Sequence, residues 1–142
     1  MTHSTLRFPG VLRTFRIRQG LLQKTFALGL RLDAGQLCAV ERGTRGPLDA
    51  AALERVAELL SLSASEKREL EWTARHDRLV RHAMREGAFR DEVELYSLCL
   101  EALHNLRPEQ RIGLIQLVRR FNDSAKELSS LTPANRDMED LP

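Results

Sequence analysis

The sequence has few cysteines and no long apolar run, and these absences limit where the protein can act. Cys38 and Cys99 have no CxxC spacing and no secretory context, which favours a reduced, cytoplasmic protein. No segment approaches the roughly 20 continuous apolar residues that span a bilayer. Arginines interrupt the N-terminal segment where a signal peptide needs an apolar run. We therefore expect no membrane association.

Patterns of catalytic and metal-binding residues are also missing. His76 and His82 are six residues apart, and His3 and His104 are distant from both, so the spacing of metal ligands is absent. No glycine-rich phosphate loop follows a strand, and neither a nucleophile elbow nor a paired-carboxylate arrangement occurs. We expect no enzymatic activity, no metal site and no cofactor.

The charge is unevenly distributed although the net charge is only +2. Residues 1–47 carry eight Lys or Arg against two Asp or Glu, residues 48–90 carry eight of each, and residues 91–142 carry six against ten. A basic first part and an acidic last part are typical of a nucleic-acid-binding face followed by a separate module. A length of 142 residues fits one domain, or a small domain with an oligomerisation segment.

Apolar residues recur at helical spacing along most of the chain, and no segment alternates as a half-buried strand does. The chain is therefore predicted to be all-α. Signals for helix starts are the prolines Pro9 and Pro108 and the capping residues Asp33, Asp49, Ser63 and Asp91. A long charged helix is expected over residues 64–86, with sparse apolar points at Leu70, Ala74, Leu79 and Met84.

Residues 20–47 predict two short helices joined by a tight turn, which is the arrangement of a helix-turn-helix. Two charged residues lie on otherwise apolar faces nearby: Arg16 in the preceding helix and Glu41 in the second helix of the motif. Because a charge on an apolar face needs a partner or a path to water, we expect an Arg16–Glu41 ion pair. The alternative is that both side chains extend outward to solvent.

Residues 12–62 resemble the helix-turn-helix domain of the XRE family, the Cro-like phage and bacterial repressors. The matching pieces are Leu12-Arg13-x-Phe15-Arg16, Gly20-Leu21-x-Gln23, Phe26-Ala27, Leu30, Leu37, Val40-Glu41-Arg42-Gly43, Pro47 and Leu53-x-x-Val56-Ala57-x-x-Leu60-x-Leu62. The signal is the ordered set, which covers about a third of the chain. The resemblance implies a five-helix lambda-repressor-like domain, supports the ion pair, and implies that the second motif helix enters the major groove of DNA.

The resemblance also identifies the residues expected to contact double-stranded DNA. Phosphate contacts would come from Gln23 and Lys24 at the start of the first motif helix and from the loop residues Arg42, Thr44 and Arg45. For the two arginines the alternative is a solvated loop. The base-reading positions are Ala34, Gly35, Gln36 and Ala39. Only Gln36 could make a bidentate contact, for instance to adenine N6 and N7, so modest base specificity is expected.

Two positions depart from the family pattern. Leu22 stands where a hydroxyl residue usually caps the first motif helix, and this loss costs ~1 kcal/mol. Arg31 stands where glycine is often found, at a turn position that favours positive φ. Cys38 in the second motif helix could act as a redox sensor, but a half-buried thiol is the more common role.

We expect residues 1–64 to form the DNA-binding domain, 65–87 a long charged connecting helix, 88–128 a C-terminal helical dimerisation segment and 129–142 a disordered acidic tail. Two amphipathic helices joined near Pro108 form a hairpin with more apolar surface than it can bury alone, which predicts a homodimer. The alternative is that these helices fold back on the same chain, which would then be a monomer.

The favoured function is a dimeric, sequence-specific transcriptional repressor. The alternative is a protein-interaction module, an antirepressor or adaptor, because the small residues of the second motif helix suit contact with a protein partner.

Overall fold

The computed structural model describes residues 5–131, which form seven α-helices and contain no strand. The helices are α1 (Phe8–Arg18), α2 (Gln23–Gly29), α3 (Ala34–Arg42), α4 (Ala50–Leu59), α5 (Ala64–Arg85), α6 (Arg90–Asn105) and α7 (Pro108–Leu131). The prediction of an all-α chain is confirmed for this part of the sequence. No helix within residues 5–131 is long and apolar enough to cross a membrane.

The chain divides into two compact units, the first ending at Glu101 and the second beginning at Ala102. Helices α1 to α5 of the first unit surround one core of mainly aliphatic side chains. Its most deeply buried members, each at most 1% exposed, are Phe8, Leu12, Phe26, Ala27, Leu30, Leu37, Val40, Val56, Leu60, Leu70 and Ala74. Full burial of one Val, Leu or Phe contributes about 1.5–3 kcal/mol, so this cluster is the main source of stability in the first unit.

Capping side chains explain where α4 and α5 begin. Asp49 Oδ1 accepts a hydrogen bond from the backbone N–H of Ala52 at 2.8 Å. Ser63 and Glu66 form a reciprocal capping box, in which each side chain accepts from the other's backbone N–H at 3.1 and 3.0 Å. Both starts agree with the sequence prediction.

Helix α5 belongs to the first unit and is not only a connection. Leu70 and Ala74 are fully buried in the same core as the residues of α1 to α4. Further along α5 the buried apolar residue is Val80, whereas Leu79, expected on the apolar face, is 46% exposed. Because α5 completes this core, the first unit extends well beyond the boundary expected at residue 64.

Helix α6 packs through a face that the sequence does not single out. Val93 and Ser97 are buried in the first unit, whereas Leu95 and Leu98, on the more apolar side, are 57% and 54% exposed. The expected capping role of Asp91 is wrong, because α6 begins one residue earlier and the Asp91 carboxylate accepts from the backbone N–H of the next residue at 2.9 Å.

Helix α7 begins at the predicted proline and buries none of its side chains. It continues to Leu131, so the tail expected to be disordered from residue 129 is helical over its first three residues. The rest of the expected tail, 132–142, lies outside the described residues. Apolar side chains of α7, which the sequence predicts to be amphipathic, are exposed, with Val118 47% and Phe121 72% accessible.

Candidate nucleic-acid interface

Helices α2 and α3 are joined by residues 30–33. The expectation for this turn is a positive φ at Arg31. Arg31 has φ of 59°, in the left-handed region that disfavours a side chain by about 1–2 kcal/mol. Leu22, at the N-cap of α2, makes no side-chain capping hydrogen bond. As expected, Arg31 takes the left-handed conformation and α2 begins without a side-chain cap.

The start of α3 is fixed by a second capping box. The Asp33 carboxylate accepts from the backbone N–H of Gln36 at 2.7 Å, and Gln36 Oε1 accepts from the backbone N–H of Asp33 at 3.1 Å. The cap at Asp33 agrees with the prediction, but the involvement of the Gln36 side chain does not follow from it. The carbonyl oxygen of Gln36 is thus engaged within the protein, while its Nε2 group is the donor that remains for a base.

A buried ion pair lies behind α3. Arg16 Nε donates to Glu41 Oε1 at 2.5 Å and Arg16 Nη2 donates to Glu41 Oε2 at 3.3 Å, with these residues 9% and 8% exposed. Arg16 Nη1 also donates to the backbone oxygen of Leu21 at 2.7 Å. These contacts join α1, the entry to α2 and the C-terminal half of α3, so the orientation of α3 depends on them.

Gln23 is part of this buried network. Its Nε2 group donates to Glu41 Oε2, so the amide expected to bind a phosphate is directed towards the protein. Lys24, the next residue, is exposed in the first turn of α2. Of the two phosphate-binding candidates on α2, Lys24 is exposed and Gln23 is half-buried.

The outward side of α3 consists of small side chains. Ala34 and Gly35 are exposed, and Gln36 and Ala39 are half-buried. The opposite side is closed by Leu37, which is fully buried. The base-reading candidates therefore lie together on one accessible face, and Gln36 is the only one of them with a polar side chain.

The loop after α3 is held by hydrogen bonds to its backbone. Ala39 O accepts from the backbone N–H groups of Thr44 and Arg45 at 3.0 and 3.2 Å and from Thr44 Oγ1 at 3.2 Å. Helix α5 holds the other side, where Arg81 Nη1 donates to Gly43 O and Arg78 Nη2 donates to a second loop carbonyl, each at 2.7 Å. The loop is thus shaped by α5.

Two cationic side chains lie here, Arg42 as the last residue of α3 and Arg45 in the loop, and both are exposed. They extend from the fixed backbone at the C-terminal end of α3. Sequence reasoning missed Arg78 and Arg81 because their acceptors are backbone carbonyls 30 and 38 residues earlier in the chain. Only their spacing of three, which places both on one helix face, was a possible signal.

A second buried polar cluster was also missed. The Asp77 carboxylate accepts from the backbone N–H groups of Arg7 at 2.9 and 3.1 Å and of Phe8 at 2.9 Å, so it caps α1 from α5. His76 Nδ1 lies 2.8 Å from Asp77 Oδ1, and His76 Nε2 lies 2.9 Å from Ser97 Oγ. The cluster ties α1, α5 and α6 together.

The hydrogen-bonded series Ser97, His76 and Asp77 has the atom order of a nucleophilic triad. Ser97 is only 4% exposed, and His76 and Asp77 are 1% exposed, so a substrate carbonyl has no path to Ser97 Oγ in this structure. The arrangement acts as a structural connection. Among residues 5–131, no group of three or more His, Cys, Asp or Glu side chains is placed to hold a metal ion.

Arg7 does not project as an arm that could read DNA shape. Its Nη2 group donates to Glu101 Oε2 at 3.0 Å, and its backbone N–H is bound to Asp77.

Comparison with known proteins identified no relative: no family model, no curated protein and no solved structure matches this chain. The case for a function therefore depends on the geometry of α2, α3 and the following loop.

Proposed function

We propose that this chain is a sequence-specific, DNA-binding transcriptional regulator that acts as a dimeric repressor. In this proposal α1 to α5 form a five-helix, lambda-repressor-like helix-turn-helix domain, and α3 is inserted into the major groove. The observation that carries the proposal is the juxtaposition of an exposed, small-residue face on α3 with a fixed cationic loop at its C-terminal end.

Three features support this assignment. The outward face of α3 has no bulky side chain that would prevent its close approach to base edges. Arg42 and Arg45 are exposed on a loop whose backbone is fixed from two sides, so their guanidinium groups can be directed at phosphates without ordering the loop. The buried Arg16–Glu41 pair supports α3 from behind, as a positioning contact should.

The capping box at Asp33 refines the expected base contact. A bidentate contact to adenine would require Gln36 Oε1 to accept a second hydrogen bond, since it already accepts from the backbone N–H of Asp33. Donation by Nε2 alone suits any major-groove acceptor, which is O6 or N7 of guanine, N7 of adenine or O4 of thymine. We therefore favour an acceptor base edge at the position that Gln36 contacts in each half-site.

The test is the salt dependence of binding to random duplex DNA, measured by fluorescence anisotropy of the full chain. Replacing Arg42 and Arg45 together with Ala should reduce the slope of log K against log salt by about one to two phosphate contacts. The matched control is Arg68→Ala with Arg75→Ala, which removes the same charge from exposed positions on α5 and should leave a steeper slope. Equal slopes for the two double variants would contradict the proposed interface.

Base reading is tested by selecting bound sites from random duplex DNA. Gln36→Glu retains an oxygen that can complete the capping box but replaces the amide donor with an acceptor, so the selected base should change towards cytosine, whose N4 group is a donor. An unchanged selected sequence would exclude Gln36 from base reading.

A second candidate is a protein-interaction module that keeps the fold without strong base reading. It is favoured by the engagement of both amides, Gln23 with Glu41 and Gln36 with Asp33, which leaves α3 a mainly apolar, small-residue surface. Such an adaptor should bind random duplex weakly and with little dependence on salt, whereas a repressor should lose affinity steeply as salt rises.

A further inference from the structure

Helix α7 has the residue spacing of a coiled coil. Its residues Leu114, Val118, Phe121, Ala125 and Leu128, which we call the α7 seam, recur at alternating intervals of four and three. This average of 3.5 residues is the repeat that lets two helices wrap around each other. Seam side chains are accessible, with Val118 47% and Phe121 72% exposed, and no side chain of α7 is buried.

Charged side chains are excluded from the seam and from the positions beside it. With Leu114 at heptad position d, all charged residues from 114 to 131 fall at the outer positions b, c and f: Arg119, Arg120, Asp123, Lys126 and Glu127. The flanking positions e and g hold only neutral residues: Ile115, Leu117, Asn122, Ser124, Ser129 and Leu131. The charge pattern thus marks one continuous neutral face along about five turns of helix.

The neutral flanks indicate what covers the seam. Coiled coils select a different partner, and reject their own copy, chiefly through charges at positions e and g. Because α7 has none there between residues 114 and 131, its face meets no like-charge repulsion from an identical face. Among parallel coiled coils, a β-branched residue at a with leucine at d favours two strands over three or four, and Val118 and Leu114 occupy these positions.

We propose that α7 pairs in parallel and in register with α7 of a second copy of this chain. Parallel pairing places each seam residue opposite its equivalent, so Phe121 meets Phe121 and the small Ala125 allows the helix axes to approach. The proposal deepens the proposed function by naming the surface that joins two DNA-binding units, and it rests on that function only for the purpose of the dimer. A two-fold axis along the paired helices suits an operator with two half-sites.

The first experiment measures the oligomeric state of the full chain by sedimentation. The wild type should be a dimer, and Phe121→Glu should weaken dimerisation by about 100-fold or more, because two unpaired carboxylates would face each other in the seam. The matched control is Gln116→Glu, which adds the same charge at outer position f and should remain dimeric. Fluorescence of Trp72, the single tryptophan, checks that the first unit of each variant is folded.

The second experiment tests the direction and register of pairing by disulfide cross-linking. In a background with Cys38→Ala and Cys99→Ser, Leu114→Cys and Ala125→Cys should each form a dimer linked to its own copy, since parallel pairing brings both positions opposite themselves. An antiparallel pair can bring at most one of these positions opposite itself. Ser130→Cys, at outer position f, is the control that should cross-link poorly.

These outcomes distinguish failure of the α7 pairing from failure of the proposed DNA-binding function. A wild type that is monomeric at about 0.1 mM, or a dimer that survives Phe121→Glu, overturns the pairing through α7. Cross-linking at only one of the two seam positions overturns its parallel direction. If the wild type is a dimer but shows no binding to duplex DNA, the proposed function fails and the α7 pairing stands. If Phe121→Glu is a monomer that binds DNA more weakly, both are supported.

Discussion

Helix α4 and helix α7 have similar apolar periodicity but very different burial. In α4 the periodic residues Leu53 and Val56 are 5% and 0% exposed, because they complete the core of the first unit. In α7 the equivalent stripe remains accessible, and Phe121 is 72% exposed. The spacing of apolar residues therefore shows that a helix has a face to cover, but it does not show what covers that face.

The difference lies in the contacts that surround each helix. The first unit has capping boxes that fix where helices begin, and a buried ion pair and the Asp77 cluster that fix helices against one another. Helix α7 buries none of its side chains, and the ion pair at its start, between Arg107 and Glu109, is about 70% exposed on both sides. The core of the first unit is formed within one chain, whereas the apolar side chains of α7 remain exposed to solvent.

The largest expected effect comes from a pair of phenylalanine substitutions that tests this comparison directly. Phe26→Ala removes a side chain that is 1% exposed and should lower the free energy of unfolding by about 3–5 kcal/mol. Phe121→Ala should change it by less than about 0.5 kcal/mol in dilute solution, where the chain is monomeric. Urea unfolding followed by Trp72 fluorescence measures both.

The control for these two substitutions is to repeat the unfolding measurements at different protein concentrations. The effect of Phe26→Ala should be nearly the same at low and high concentration, whereas that of Phe121→Ala should grow as α7 pairs. If Phe121→Ala is as destabilising as Phe26→Ala in dilute solution, then α7 is covered within a single chain and the comparison fails.

The predictability of the first unit from sequence varies with how local each contact is. The start of α3 at Asp33 and the box between Ser63 and Glu66 depend on residues three apart, so the sequence identifies them. The pairing of Arg16 with Glu41 spans 25 residues, and it was predictable because each charge lies on an apolar face. The two capping boxes complete a known sequence pattern for a helix start. The ion pair is visible because its two charges interrupt apolar faces.

Contacts without such a pattern could not be foreseen. Asp77 looks like one more charge on a charged helix, yet it caps α1 from 69 residues away. Likewise, Gln23 and Gln36 sit at positions where the resemblance implies DNA contact, and nothing local shows that their amides are engaged by Glu41 and Asp33. The sequence therefore predicts which residues share the outer face of α3, but it does not show which of the polar groups there are already engaged within the protein.

The second prediction concerns ion pairs of different burial within the first unit. Glu41→Ala should destabilise by about 3–5 kcal/mol, because it leaves the buried Arg16 guanidinium uncompensated. Glu101→Ala breaks the pair with Arg7, whose side chains are 38% and 40% exposed, and should cost less than about 1 kcal/mol. Urea unfolding of both variants under identical conditions tests the ratio.

Replacing both members of the buried pair sharpens the interpretation. Arg16→Met combined with Glu41→Leu should recover most of the loss caused by Glu41→Ala, since no buried charge is then left alone. A double variant as unstable as Glu41→Ala would show that the pair itself, and not the orphaned charge, stabilises the first unit.

The smallest expected effect is the pH dependence of the pair between Arg18 and Glu66, at the exposed edge of the first unit. A hydrogen bond from Arg18, aided by the backbone N–H of Ser63, lowers the pKa of Glu66 from 4.5 to about 2. The unfolded chain therefore takes up this proton at higher pH than the folded chain, so the contribution is complete above pH 4.5 and is lost as pH falls towards 2. Glu66→Gln, which can retain the capping box, should lose less stability than the wild type over this acid range, and Glu69→Gln is the control that should follow the wild type. Because the pair is exposed, added salt should reduce the difference in acid-induced loss of stability between Glu66→Gln and the wild type. If salt leaves this difference unchanged, the difference arises from the capping box and not from the charge of Glu66.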